Sequence, residues 1–245
     1  MGTRDSIAAP YLIPSIGDYD KSGFFADASL SFLTASEASR VDLIWLSAGY
    51  LFNANKFSGG ISGTAYFFNE ESNNVMSSVV GDLTGIIGYD FKLLETTLYL
   101  STYFNDGSKN DFIGGLMFDR TFYAINKNLL INPRISFYAG SQYFYEQYYS
   151  NSRLGNRKGK GMGNTGSGVS DSNMVNIEEV QKFNFLNIEL EIPLQYNYKK
   201  FIFSFNPMLA LPQSSATIYS EDTLITEDLE PVFYWSVGVS YWFIP

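Results

Sequence analysis

The sequence predicts an all-β fold, a transmembrane antiparallel up-and-down β-barrel of about ten strands, from its composition, its alternating segments and its alternating loop lengths. Aromatic and charged residues each make up 17% of the 245-residue chain, whereas ordinary soluble domains carry roughly 25% charged residues. Mean hydropathy is −0.06, which is not the value of a helical membrane protein. Strands whose side chains alternately face lipid and the barrel interior account for the aromatic content, the low charge and the near-neutral hydropathy. Rings of about eight or about twelve strands are the alternatives.

From the sequence we expect neither a membrane-spanning helix nor a secretory signal. No run of about 18 apolar residues occurs, and the most apolar stretch, residues 43–52, is interrupted by Ser47 and Gly49. The first residues are polar and no apolar segment follows them, so, if the protein is exported, we expect this to be the sequence of its mature chain. Cysteine is absent, which excludes disulfides and thiolate chemistry.

Ten segments have the period of two that is typical of strands with two different faces. Each is long enough for the roughly 9–11 residues that a tilted strand needs to cross a bilayer. In the last segment Phe233, Trp235 and Val237 share one face, and Ser236 and Gly238 share the other. The segments span residues 23–34, 40–52, 57–68, 77–91, 94–105, 111–124, 129–142, 181–198, 201–211 and 232–243.

Two of these segments are irregular. Segment 40–52 has apolar residues on both faces, for example Trp45 and Ile44, which predicts a bulge or a shift of register. In segment 111–124 the alternation assigns Arg120 to the lipid side. Either the arginine lies near an interface, where its long side chain reaches the head groups, or the strand is bulged there.

The connections alternate in length along the chain. The short set comprises residues 53–56, 92–93, 125–128 and 199–200, and the long set comprises 35–39, 69–76, 105–110, 143–180 and 212–231. Bacterial outer-membrane barrels have short periplasmic turns and long external loops. The pattern therefore predicts periplasmic termini and an even number of strands, of which the first and last pair antiparallel and close the ring.

Aromatic residues cluster near both ends of the predicted strands, where the bilayer would meet water. Tyr103 and Tyr234 are assigned to the external band in this way. The chain resembles the outer-membrane β-barrel proteins of Gram-negative bacteria, in particular uncharacterised, porin-like members. The resemblance rests on the loop lengths and on the final strand, residues 233–243. Such proteins usually end on an aromatic residue that the insertion machinery reads, whereas here Ile244 and Pro245 follow Phe243. The resemblance covers residues 21–243 and implies residence in the bacterial outer membrane, but no particular activity.

The chain is therefore divided into an N-terminal segment, residues 1–22, and a barrel, residues 23–243, with long external loops at 143–180 and 212–231. The N-terminal segment holds Pro10, Pro14 and Gly17 and is not predicted to form a strand. It is expected either to fill the interior as a plug or to lie in the periplasm as a docking segment, unless it is a loosely held terminus.

The residue inventory argues against catalysis and nucleic-acid binding. Histidine is absent, and barrel hydrolases rely on a histidine general base, so no enzyme activity is expected. The net charge of −9 argues against a nucleic-acid partner. No sequence pattern indicates a cofactor or a metal site, and the acidic residues between 213 and 230 lack the spacing of calcium ligands.

Two groups of residues are candidates for function. The first is an interior charge network, in which carboxylates pair with one arginine inside a narrow ring: Asp27, Asp82, Glu95, Asp119, Arg134, Glu189 and Glu191. The second is a set of cations in the longest loop that would bind anionic lipid or a partner: Arg153, Arg157, Lys158 and Lys160. A glycine-rich flexible loop is the alternative for the second group.

The functional prediction is a non-enzymatic barrel that serves as a structural or accessory subunit of a membrane assembly, or as a surface interaction protein. Its expected partners are outer-membrane lipid, including lipopolysaccharide, and another protein of the assembly. One alternative is a narrow pore or small-solute transporter. The other is a soluble β-barrel or β-sandwich that binds a ligand.

Overall fold

The computed structural model describes residues 10–34, 39–70, 72, 74, 76–107, 109–143, 183–214, 217–220, 223–226 and 229–243. Fifteen strands form one antiparallel sheet, in which strands that follow each other in the chain mostly lie side by side. The all-β, up-and-down prediction is therefore confirmed. In the described residues, no helix is long and apolar enough to cross a bilayer.

The strands are short at the start of the chain and long in its centre. Their bounds are β1 Tyr11–Leu12, β2 Ser15–Tyr19, β3 Phe24–Leu33, β4 Arg40–Ala54, β5 Phe57–Phe68, β6 Val79–Asp90, β7 Glu95–Asn105, β8 Asp111–Asp119, β9 Phe122–Ala124, β10 Leu129–Ile131, β11 Arg134–Gly140, β12 Asn184–Glu191, β13 Leu194–Tyr198, β14 Phe201–Pro212, β15 Thr217–Ser220, β16 Thr223–Thr226 and β17 Val232–Tyr241. Strands β15 and β16 form a separate hairpin within the predicted loop 212–231.

The N-terminal segment contains two strands, contrary to the sequence prediction. β1 and β2 pair antiparallel with β3, with Tyr11 opposite Leu33 and Tyr19 opposite Phe25. The interruption between them falls at Ile13 and Pro14, because proline lacks the N–H that a strand donates. The Pro14 carbonyl still accepts a bond of 3.1 Å from the Leu30 N–H, which keeps the segment on the sheet.

This pairing also corrects the predicted closure. The outer edge of β3 is occupied by β1 and β2, so β3 does not pair with the last strand. Strand β17 pairs with β14, and no other strand of the described residues is bonded to it. The two edges nevertheless approach each other at one end, where the rings of Tyr19 and Trp242 lie 6.4 Å apart.

Three predicted strands, 111–124, 129–142 and 181–198, are each divided in two. The breaks lie along a feature that we call the proline seam, formed by Pro133, Pro193 and Pro207. The breaks between β10 and β11 and between β12 and β13 lie beside each other and beside Pro207 of β14. Each proline lacks the backbone N–H that a strand residue donates to its neighbour, while its carbonyl still accepts a hydrogen bond from an N–H of the adjacent chain segment. The bonds come from Arg120 (3.3 Å), Asn132 (2.9 Å) and Ile192 (3.3 Å).

Arg120 lies at the matching break between β8 and β9 rather than inside a strand. Its guanidinium donates to the Leu93 carbonyl in the short turn between β6 and β7. It also lies over the Phe122 ring, 5.4 Å from the centroid. The structure thus places the charge at the short-turn end of the sheet.

The predicted irregularity of segment 40–52 is confirmed as a bulge at Asp42. Ser31 pairs with Leu43 and Phe32 with Val41, so Asp42 has no opposite residue. Asp42 is 1% exposed. The bulge turns this carboxylate inward, and Tyr11, Ser72 and Arg40 donate to it at 3.3, 3.0 and 3.2 Å.

The polar face of the sheet is buried and its apolar face is exposed, an arrangement that we call inverted burial. The polar face, which carries Ser31, Asp82, Ser136 and Glu189, is 0–7% exposed at these residues. The apolar face is open to the surroundings, and 40–70% of the surface of many of its large side chains is exposed: Leu46, Ile61, Leu83, Leu100, Phe112, Phe203, Val237 and Val239. A soluble domain buries the apolar face instead.

The short connections are tight turns with lysines in them. Asn55, Lys92 and Lys199 have positive φ angles of 58°, 69° and 55°. Residues 125–127 do so consecutively. With Lys21 in the turn after β2, six lysines lie at this end of the sheet: Lys21, Lys56, Lys92, Lys127, Lys199 and Lys200.

Candidate functional site

The predicted interior residues lie on the polar face, but in two separate rows that run across the strands. In the first row Glu95, Asp119, Arg134 and Glu191 are successive partners on β7, β8, β11 and β12. On β6, β7 and β8 the second row lies at the opposite, long-loop ends of the strands. On β7 it is eight residues away from Glu95, or about 27 Å at about 3.4 Å per residue.

In the first row neutral donors hold most of the carboxylates. Ser58 donates to Glu95 at 3.0 Å, and Asn132 donates to Asp119 at 2.7 Å. Arg134 forms an ion pair with Glu191 at an N–O distance of 3.8 Å. Its Nε is buried and has no hydrogen-bond partner among the described residues. The arginine is therefore incompletely paired although two carboxylates flank it in register.

The second row contains Asp27 and Asp82 and extends to Asp111. The successive partners are Asp27, Ser47, Thr64, Asp82, Tyr103 and Asp111, on β3 to β8. Tyr66 donates to Asp82 at 2.8 Å and Thr84 at 2.6 Å. Asp82 is thus buried with hydroxyl donors, which satisfy its oxygens at a lower desolvation cost than a second charge would.

Glu189 occupies a row of its own next to Arg134 and Glu191. It lies opposite Ser136 and Ala210 and is 3% exposed. The Asn187 side chain donates to it at 2.8 Å. Glu189 and Glu191 therefore share the polar face, as the alternation predicts, with different partners.

Tyrosines on the polar face form the largest part of the site that sequence reasoning missed. Tyr103 lies at the long-loop end of β7, but it is 6% exposed and its hydroxyl lies 2.8 Å from that of Tyr99, so its ring belongs to the polar face and not to a band at a bilayer surface. The Tyr99 ring meets the Tyr138 ring edge to face, at 6.2 Å between centroids. Tyr234 also lies on the polar face, where its hydroxyl donates to Met208. The sequence did contain a signal for this placement: Tyr103 and Tyr234 lie two residues from Ser101 and Ser236, so the alternation puts them on the same face as these serines.

Tyr99 and Tyr138 meet across β8 because Gly115 lies between them. The three residues are successive partners on β7, β8 and β11. A Cβ added at Gly115 would lie 2.7 Å from ring atoms of Tyr138. Gly115 therefore leaves the space that the Tyr138 ring occupies.

Two buried aspartates organise the long-loop end of the sheet. Asp42 connects β1 and the loop after β5, through Tyr11 and Ser72. Asp111 is 0% exposed and accepts bonds from the Ser141 hydroxyl at 2.7 Å and the Tyr143 N–H at 2.6 Å. Both hold the beginnings of loops to the wall of the sheet.

The predicted loop cations Arg153, Arg157, Lys158 and Lys160 lie outside the described residues. In the part of the chain that the structure does describe, no group of three or more acidic side chains is placed to hold a metal ion.

The chain matches no protein-family model, and no curated protein is significantly similar to it in sequence.

Proposed function

We propose that this protein is a non-enzymatic outer-membrane barrel, which acts as a structural or accessory subunit of a membrane assembly. The inverted burial of the sheet carries the proposal. Val237 and Val239 of β17 are 69% and 66% exposed, while Glu189 and Ser136 on the other face are 3% and 0% exposed. In water, each exposed apolar Å² costs about 25 cal/mol, and soluble proteins rarely expose apolar patches beyond a few hundred Å². Hydrocarbon around the apolar face removes this cost.

We further propose that the sheet closes through its N-terminal strands. β2 and β17 both run toward the short-turn end, because β2 is antiparallel to β3 and β17 is antiparallel to β14. Closure would then place β2 beside β17 in parallel, with the Tyr19–Trp242 contact at its end. The ring would contain eleven effective strands: β1 with β2, β3 to β7, β8 with β9, β10 with β11, β12 with β13, β14 and β17.

The filled polar face favours an accessory role over a pore. Interior groups such as Tyr103, Asp82 and Ser101 are 4–7% exposed, so a water-sized sphere hardly reaches them. Conduction needs a continuous column of water or ions between such groups. The side chains instead bond to each other, as Thr84 and Ser101 do at 2.7 Å.

The ends of the sheet suit a membrane with different partners on its two sides. The six lysines of the short-turn end fit the phosphates of periplasmic-leaflet lipids. Two of them lie over tyrosine rings, Lys56 over Tyr89 at 5.8 Å and Lys199 over Tyr198 at 5.3 Å. The loops held by Asp42 and Asp111 would face outward and contact an assembly partner.

Membrane fractionation and co-purification test the proposal together. We expect the full chain in the outer-membrane fraction, retained after carbonate and urea washes, and released only by detergent. Release into aqueous buffer would overturn the membrane assignment. From detergent extracts, a stoichiometric partner is expected, whereas a purified monomer with stepwise conductance in planar bilayers would replace the accessory role by a pore.

A further inference from the structure

The charges around Glu189 do not balance on the polar face. Among the described residues, this part of the face carries three carboxylates and one guanidinium, which we call the acidic patch: Asp119, Glu189, Glu191 and Arg134. Arg134 forms its ion pair with Glu191. Glu189 is 3% exposed, and burying a carboxylate is costly unless a cation and hydrogen-bond donors compensate its charge. A second cation would therefore stabilise the acidic patch.

Buried polar atoms without partners lie beside the same carboxylates. Ser136 is the register partner of Glu189 and is 0% exposed, and its Oγ has no hydrogen-bond partner among the described residues. Asn187 donates to Glu189 through Nδ2, but its Oδ1 is buried and unpartnered in the same part of the chain, as is Arg134 Nε. Buried polar groups are nearly always bonded in native proteins. A polypeptide segment suits these atoms, because its backbone offers donors and acceptors together, whereas a metal ion offers no acceptor to the Arg134 N–H.

The other described cations contact different parts of the molecule. The six lysines of the short-turn end lie in its turns. Three more cations have partners away from the acidic patch: Arg40 pairs with Asp42, Arg120 donates to the Leu93 carbonyl, and Lys109 lies over the Tyr143 ring. Of the cations that the structure describes, Arg134 alone thus belongs to the acidic patch. The second cation would come from residues outside the described ranges.

We propose that residues 1–9, which lie outside the described ranges, enter the interior and that Arg4 pairs there with Glu189. Arg4 is the one arginine or lysine of this segment. Successive side chains of an extended chain point in opposite directions, so Asp5 faces away from Glu189 when Arg4 faces it. The backbone of the segment supplies N–H and C=O groups that suit Asn187 and Arg134. A segment in this position keeps the interior filled, which agrees with an accessory barrel rather than a pore.

The start of β1 fixes where this segment joins the sheet. The Pro10 carbonyl accepts bonds from the Thr34 N–H at 2.9 Å and from the Thr34 hydroxyl at 3.0 Å, at the long-loop end of β3. The Tyr11 hydroxyl donates to the buried Asp42 carboxylate, so the chain meets the polar face here. Six residues separate Arg4 from Pro10, and an extended chain of this length spans about 20 Å.

The distance to the acidic patch is shorter than this reach. In the proposed closure, on which this inference rests, Tyr11 lies beside Tyr234, eight residues back along both strands from the ring contact at their ends. Tyr234, Met208 and Glu191 are successive partners on β17, β14 and β12. Tyr11 thus lies three strand spacings from Glu191, or about 14 Å at about 4.8 Å each. Arg4 can therefore reach the acidic patch.

Labelling of a cysteine in the segment tests this contact. The chain has no cysteine, so Ser6→Cys introduces a single thiol, which is treated with a water-soluble maleimide in the full protein in lipid nanodiscs. We expect slower labelling than in the urea-denatured protein. Arg4→Gln and Glu189→Gln should each accelerate labelling by roughly tenfold. The double variant should be no faster than either, because all three lose the same ion pair. Asp5→Asn is the matched control, for which no change is expected.

Three results would overturn the inference: labelling of the parent at the denatured rate, additive effects of the two substitutions, or acceleration by Arg153→Gln or Arg157→Gln and not by Arg4→Gln. The last result would assign the second cation to the long loop. Heat-modifiable migration in gels checks the folding of each variant, and Arg4 precedes every strand, so its result stands even if Glu189→Gln does not fold.

The same samples separate this inference from the proposed function. A parent protein that keeps its heat-modifiable migration and needs detergent for extraction, but has an unprotected thiol at position 6, contradicts the Arg4 contact alone. Extraction in aqueous buffer contradicts the membrane barrel itself.

Discussion

Single residues on the polar face of the sheet decide how closely its side chains can pack. The row Tyr99, Gly115 and Tyr138 shows this most directly, because a hydrogen atom in the middle leaves room for two rings. Buried aromatic pairs of this kind contribute about 0.5–1.5 kcal/mol beyond their buried area. Loss of either ring would also leave a cavity among the packed side chains of the polar face.

We expect Gly115→Ala to lower the free energy of unfolding by about 1–3 kcal/mol, because its Cβ would overlap the Tyr138 ring. Gly114→Ala is the matched control, since its Cβ would meet nothing closer than 3.6 Å on the apolar face. Urea or guanidinium unfolding in lipid vesicles measures both. Equal stability of the two variants would contradict the placement of Tyr138 over Gly115.

A second residue-scale feature is Ile125, a β-branched residue with a φ of 49°. The left-handed conformation costs such a side chain about 1–2 kcal/mol, and asparagine adopts it more easily. The side chain is 60% exposed, so little burial is lost on replacement.

Ile125→Asn should therefore stabilise the protein by about 1 kcal/mol. Ile125→Val keeps the branched Cβ and serves as the control, for which no gain is expected. The shift in the denaturant midpoint measures the difference. A destabilised Asn variant would indicate that Ile125 makes apolar contacts that matter more than its backbone conformation.

At the scale of elements, the N-terminal strands depend on few long-range contacts. β1 has two residues, paired with Leu33 and Phe32 of β3, and the Tyr11–Asp42 hydrogen bond connects it to β4. The bulge that buries Asp42 thus fastens an edge strand that is otherwise too short to hold its place.

Asp42→Asn should loosen β1 and the loop after β5, because a neutral amide accepts more weakly from Tyr11, Ser72 and Arg40. We expect faster proteolysis between residues 10 and 22 and a loss of about 1–3 kcal/mol of stability. Asp18→Asn, at an exposed position of β2, is the control. Unchanged proteolysis would show that β1 is held by the sheet ladder alone.

At the scale of the whole molecule, the arrangement of the two sheet edges determines whether the polar face is enclosed. The proposed parallel closure would place Tyr19 near Trp242, where the two rings are in contact, and Leu12 near Trp235, seven residues back along both strands. The protein has no cysteine, so introduced pairs report only the intended distances.

We expect Tyr19→Cys with Trp242→Cys, and Leu12→Cys with Trp235→Cys, to form cross-links with a short bis-maleimide. The crossed pair, Tyr19→Cys with Trp235→Cys, should not react, because about seven residues, or about 23 Å of strand, separate the positions. Heat-modifiable migration in gels tests insertion separately. Reaction of the first pair without the second would mean that the edges meet at one end and diverge above it.

The sequence predicted what local periodicity encodes. The alternation of Phe233, Trp235 and Val237 with Ser236 and Gly238 placed β17 correctly, and it assigned Glu189 and Glu191 to one face. The alternation also predicted an irregularity in segment 40–52, where the structure has the bulge at Asp42. These properties need only neighbouring residues, because side chains on a strand change face at every step.

The sequence alone determined the positions of most strands, their two faces and the alternation of short and long connections. Only the tertiary structure decided that β1 and β2 cover the edge of β3, that Pro133, Pro193 and Pro207 align, and that Glu95, Asp119, Arg134 and Glu191 share a row. The physical reason is that sideways register joins residues far apart in the chain, through hydrogen bonds that every backbone can make. The residue at which two neighbouring strands face each other therefore leaves no local pattern to read.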